Sequence, residues 1–117
     1  MQIRDIADLS RELPAHRYLP RPERLISGHP EQSVQHHFSS TNGQFNAGVW
    51  QGEPGRWRVV YTEDEYCEIL SGRSLIHDRN GHVKVVEAGD RFVIPAGFEG
   101  IWEVVDTCKK VYVTFEA

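Results

Sequence analysis

Two cysteines and one methionine are all the sulfur this chain of 117 residues contains, and no stretch approaches the ~20 apolar residues of a membrane-spanning helix. Cys67 and Cys108 stand far apart and neither falls in a CxxC or CxxH spacing, so a disulfide framework and a zinc knuckle are both excluded. Buried free thiols are the expectation. The opening MQIRDIADLSREL alternates charge with apolar residues and lacks the apolar core of a signal peptide, which makes a cytoplasmic location the expectation. A basic surplus is missing as well. Thirteen basic against 17 acidic residues give a net charge of −4, and no clustered basic surface suits a nucleic-acid backbone. Arg17, Arg21 and Arg24 form the one basic group, spaced along a proline-broken segment that reads as a solvated arm.

What the chain does have is a 39% hydrophobic content, enough for one core at this length, and a change of character near residue 30. Residues 5–13 have the pattern of a short helix ended by Pro14. Pro14, Pro20 and Pro22 then make an extended linker. Beyond it no helical period competes. Short β-rich runs are predicted at 34–38, 45–51, 56–62, 66–70, 74–78, 83–87, 91–94, 100–105 and 110–115. Turn signals separate them: Thr41-Asn42-Gly43, Pro54-Gly55, Ser71-Gly72, Asn80-Gly81, Ala88-Gly89, Pro95-Ala96-Gly97 and Asp106-Thr107. The organisation is an arm over 1–27 and an all-β domain over 28–117.

The stretch GDRFVIPAGFEGIW, from Gly89 to Trp102, places a tight Gly-Asp turn, a short strand and a Pro-Ala-Gly break in succession. Upstream, EYCEILSG puts Glu65 seven residues before Gly72. Together with AGVW, PGRW and KKVYV, these segments resemble the cupins, small β-barrels of the jelly-roll type. More narrowly, they resemble the small single-domain cupins grouped with the ureidoglycine aminohydrolase cupin domain. The resemblance spans roughly residues 28–115 and implies a single-domain jelly-roll barrel. Metal-binding cupins carry His-x-His and a glutamate in the first motif and one more histidine after the second. In register with Glu65 and Gly97 those histidine positions are Val59, Tyr61 and Gly100. One carboxylate and a phenol fall short of the three or so imidazole or carboxylate ligands of a catalytic metal. No metal and no other cofactor is expected. His36 and His37 are adjacent and point to opposite faces of a strand. His77 and His82 flank Asn80-Gly81, and His16 and His29 lie in the arm.

Strand alternation predicts what lines the barrel. Trp57, Val59, Tyr61, Glu65, Cys67 and Ile69 share one face. Trp102 shares another with Gly100 and Val104, and Lys110 a third with Tyr112 and Thr114. With all of these inward, an aromatic-walled pocket surrounds one acid and one base. Trp57, Val59, Cys67, Trp102 and Tyr112 are the candidate ligand-binding residues; Glu65, Tyr61 and Lys110 are the candidate catalytic ones. Two readings of Glu65 and Lys110 stand: a salt bridge that satisfies two semi-buried groups, or a cation for an anionic substrate beside a general acid–base. Three functions follow. The first is a metal-independent cupin binding a small polar or carboxylated metabolite, with or without acid–base catalysis by Glu65. The second, implied by the resemblance, is a metal-dependent hydrolase releasing ammonia from a ureido compound. The third is a non-catalytic structural or ligand-sensing module. Open sheet edges and the polar arm make a homodimer the expected assembly.

Overall fold

The computed structural model describes all 117 residues. Nine antiparallel strands account for nearly all of its regular structure: β1 (His16–Tyr18), β2 (Leu25–Gly28), β3 (Gln32–Ser39), β4 (Phe45–Gly52), β5 (Gly55–Val60), β6 (Asp64–His77), β7 (Val83–Glu87), β8 (Arg91–Ile94) and β9 (Glu99–Phe115). They form one curled sheet organised on the two longest strands, β6 and β9, which pair along almost their whole length. On the far side of β9, its C-terminal half pairs with β4 and its N-terminal half with β5. β7 and β8 hang side by side on the outer edge of β6. The sheet thereby wraps around the face that carries Trp50, Trp57, Cys67, Ile69, Trp102, Val104 and Cys108, all buried. Both cysteines are free, as their spacing predicts. No helix is long and apolar enough to cross a membrane.

Two breaks expected from turn signals are absent. The segments predicted at 66–70 and 74–78 are one strand, β6, and those at 100–105 and 110–115 are one strand, β9. Ser71-Gly72 and Asp106-Thr107 are bulges rather than turns: the β6–β9 register slips at Ser71 and again at Arg73. Gly72 has φ +80, and a Cβ there would collide with the Thr107 carbonyl, so the two strands approach closely because this residue has no side chain.

The predicted helix over 5–13 is not formed either. Only a single 3-10 turn, Ile3–Asp5, appears. Further on, the Asp8 side chain accepts the Ser10 N–H at 2.9 Å, a local bond that competes with a helical backbone. The proline-rich segment is extended around Pro14 and Pro20 as expected, but Pro22 lies in a hydrogen-bonded turn over 22–24, and the segment is not free. β1 pairs with β3, and β2 with β5, so both strands sit at sheet edges where proline is tolerated. Asn80-Gly81 lies in the loop between β6 and β7, with Gly81 at φ +86 and the Asp78 carboxylate accepting the N–H groups of Asn80 and His82.

Candidate functional site

Side chains from six strands, β1, β3, β4, β5, β6 and β9, converge on a chamber of about 180 Å³. β5 contributes Trp57 and Val59, with Tyr61 just beyond its end. β6 contributes Glu65, and β9 contributes Trp102 and Lys110. Cross-strand register explains the assembly: Trp57 faces Trp102, and Lys110 faces Trp50 on one side and Ile69 on the other. The Pro95-Ala96-Gly97 turn anchors Tyr61, whose carbonyl accepts the Gly97 N–H at 2.7 Å while its own N–H donates to Phe98 at 2.9 Å. The second sequence motif therefore positions a residue of the first.

At the centre Lys110 Nζ stands 3.3 Å from Glu65 Oε2, the one ion pair in the chain with both side chains almost wholly buried. The ammonium also lies over two indole faces, 4.3 Å from the Trp102 ring centre and 4.9 Å from that of Trp50. Hydrogen bonds fix both rings: Trp102 Nε1 donates to Ser74 Oγ at 3.1 Å and Trp50 Nε1 to Gln32 Oε1 at 2.9 Å. Burial alone would lower the pKa of Lys110. Burial is the largest single effect, but the charge of Glu65 and its hydrogen bond, joined by Cys67 and Tyr61, together outweigh it and hold the ammonium above its usual range. Burial likewise raises the Tyr61 phenol and pushes the Cys67 thiol up to about 12. At neutral pH the chamber thus presents an ammonium and a phenol locked as hydrogen-bond donors beside one carboxylate.

Six of the eight candidate residues meet in this chamber: Trp57, Val59, Tyr61, Glu65, Trp102 and Lys110. Cys67 is fully buried in the core and is not part of the wall; its raised pKa leaves it a thiol without nucleophilic character. Tyr112 is half-buried and shares a 3.1 Å hydrogen bond with His36 Nδ1. Gly48 makes room for that ring, since a Cβ there would run into it. Three wall residues were not among the candidates: Tyr18, Gln32 and Trp50. Trp50 was legible in principle, because AGVW alternates Gly48 and Trp50 onto the inner face. Tyr18 comes from the arm, and no local pattern announces it.

The residues do not fit the cupin metal. No group of three or more His, Cys, Asp or Glu side chains is placed to hold an ion. At Gly100 a Cβ would collide with the His77 carbonyl, so no ligand side chain has room at that motif position. Beside Glu65, the place of a cation is taken by the Lys110 ammonium. Three further histidines are engaged separately: His77 with Glu103 at 2.9 Å, His82 with Asp78 at 3.1 Å and His37 with the Arg11 carbonyl at 2.8 Å. A second cleft of about 300 Å³ lies between β6, β7 and β8, but its walls are mainly apolar and its Asp78 and His82 are paired to each other.

A family model for the EutQ-like cupin domain matches residues 39–112, more than half of the chain. The chain belongs to the EutQ-like cupin family. Solved structures agree with this cupin in fold. A putative ethanolamine utilization protein Q from Salmonella typhimurium aligns with a TM-score of 0.66 at 21% identity, over 74% of this chain and 70% of that one. A DUF861-family protein of unknown function from Pseudomonas syringae pv. tomato aligns with a TM-score of 0.80 at 23% identity, over 92% of this chain. The cupin spans only 46% of that longer protein. A DUF861-family protein from Thermotoga maritima shares 30% identity over 55% of this chain and 73% of that one, with a TM-score of 0.53. No curated protein matches the chain. These likenesses carry the cupin superfamily and the EutQ-like family; the narrower ureidoglycine aminohydrolase grouping is not among them.

Proposed function

We propose that this cupin binds a small polar metabolite in the aromatic chamber, using the Lys110–Glu65 pair where other cupins use a metal. The observation that carries the reading is the buried ion pair at 3.3 Å opening onto a cavity of about 180 Å³. A salt bridge that only filled the core would be closed over by its neighbours. Here Trp50, Trp57 and Trp102 stand around space equal to about six water volumes at ~30 Å³ each. That space suits a compact group whose carbonyl oxygen accepts from Lys110 and Tyr61 and whose N–H or O–H donates to Glu65. The same layout has the elements of proton transfer next to a carbonyl. Lys110 and Tyr61 would stabilise the developing oxyanion, and Glu65 is the one carboxylate in reach to take the proton. The ureido-hydrolase alternative needs a metal that this donor set does not hold, and the open chamber speaks against a purely structural module.

Every tryptophan of the chain lines the chamber, so indole emission reports its occupancy directly. Titration with small amides, hydroxy acids and keto acids is expected to find at least one compound with a saturable emission change. Lys110→Met should weaken that binding by about tenfold or more. Tyr61→Phe, a milder change that tests the same site, should weaken it less. No saturable response across the panel would refute the reading.

A further inference from the structure

We propose that the ligand is bipartite and anionic, with a compact neutral group in the inner chamber and an oxyanion, carboxylate or phosphate, held outside it by Arg21, Arg24 and Arg58. The inference rests on the chamber being a binding site and adds the charge class and the reach of what it binds. A second cavity of about 420 Å³ shares Tyr18, Gln32, Trp57, Val59 and Tyr61 with the inner chamber, so the two adjoin across these residues. The outer one adds three arginines and a single carboxylate, Glu63.

None of these arginines is in an ion pair, whereas Arg17, Arg56, Arg73 and Arg79 each meet a carboxylate. Glu63 offsets only part of the charge of Arg21, Arg24 and Arg58, so the outer cavity stays net cationic on a chain of net charge −4. The three side chains are not carried on loose backbone. The Arg21 carbonyl accepts the N–H groups of Arg24 at 2.9 Å and Leu25 at 3.2 Å, and the Arg24 carbonyl accepts the Arg58 N–H at 2.9 Å. Arm and β5 thus form one hydrogen-bonded frame beside the outer cavity, which Arg21, Arg24 and Arg58 all line. Of the three arginines read as a solvated arm, Arg17 and Arg21 are exposed, Arg17 reaching Glu31 at 3.7 Å, while Arg24 is partly buried. Charge also divides the ligand. Inside, Glu65 already neutralises Lys110, so a net negative group finds its uncompensated partners only in the outer cavity.

The test is titration of ¹⁵N-labelled protein with inorganic phosphate and, separately, with acetate, reading the arginine Nε–H signals. Saturable shifts confined to Arg21, Arg24 and Arg58 are expected, with exposed Arg91 unmoved. Saturation by acetate alone would assign a carboxylate, and by phosphate a phosphate. Affinity should fall about tenfold or more in Arg21→Ala/Arg24→Ala, and measurably in Arg58→Gln alone. Equal shifts at Arg91, or no saturation with either anion, would overturn the proposal. So would a panel compound whose tryptophan response is unchanged in Arg21→Ala/Arg24→Ala, an outcome that leaves the inner site standing. Absence of any tryptophan response to any compound would remove both.

Discussion

Three buried residues, Cys67, Tyr61 and Lys110, set how this protein responds to alkali. All three have pKa values raised in the fold: the thiol and the phenol by burial, the ammonium because Glu65, Cys67 and Tyr61 together exceed the opposing effect of burial. A group whose folded pKa lies above its unfolded value keeps its proton longer in the folded state. Its contribution to stability is whole below the unfolded pKa and is lost as pH rises toward the folded one. For Cys67 that window opens near 9 and closes at about 12; for Lys110 it opens near 10.5. The urea midpoint is therefore expected to fall once pH exceeds about 9, and Cys67→Ala should remove part of that onset, which the Cys108 thiol, likewise raised by burial, shares. An identical alkaline slope in wild type and Cys67→Ala would contradict the account. The same residues show what one sequence discloses. Alternation from Glu65 placed Cys67 and Ile69 inside, because period-two geometry needs no long-range information. The pairing of Glu65 with Lys110 is a contact between strands distant in sequence, and the alternation only made it possible.

At the scale of elements, the strand runs and most separators were readable, and β7 and β8 coincide with their predicted bounds. The misreading was of glycine. Ser71-Gly72 and Asn80-Gly81 look alike as local signals, yet one is a bulge inside a strand and the other a loop at its end. The difference lies in what surrounds each glycine: a Cβ at Gly81 meets nothing within 4 Å, while at Gly72 it meets backbone of β9. Gly81→Ala is expected to cost about 1–2 kcal/mol from its positive φ alone. Gly72→Ala adds overpacking against an immovable carbonyl and should exceed about 3 kcal/mol. Equal urea-unfolding losses in the two variants would remove Gly72 from its role as the close-contact point of β6 and β9. The arm was opaque for a related reason. Its partners, Val34 for His16 and Trp57 for Leu25, belong to strands it meets only in the folded sheet.

For the whole molecule, the curled sheet leaves an apolar row on its outer side. Register sets Val93, Tyr66, Val113, Ala47 and Phe38 side by side across five strands, with Phe45 and Phe115 adjacent. Val93, Tyr66, Phe38, Phe45 and Phe115 are exposed, and such an apolar row is a place for a partner. A homodimer burying it is expected by light scattering at micromolar concentration, with Tyr66→Lys shifting the mass to that of the monomer; a wild-type monomer would refute this. The central claim concerns the other side of the sheet, where an ammonium stands in the place of a metal. The most direct test is the tryptophan-emission titration with the best-binding panel compound, before and after exhaustive treatment with a chelator. Superimposable curves are the expected result. A response lost on chelation and restored by zinc or manganese would contradict the account.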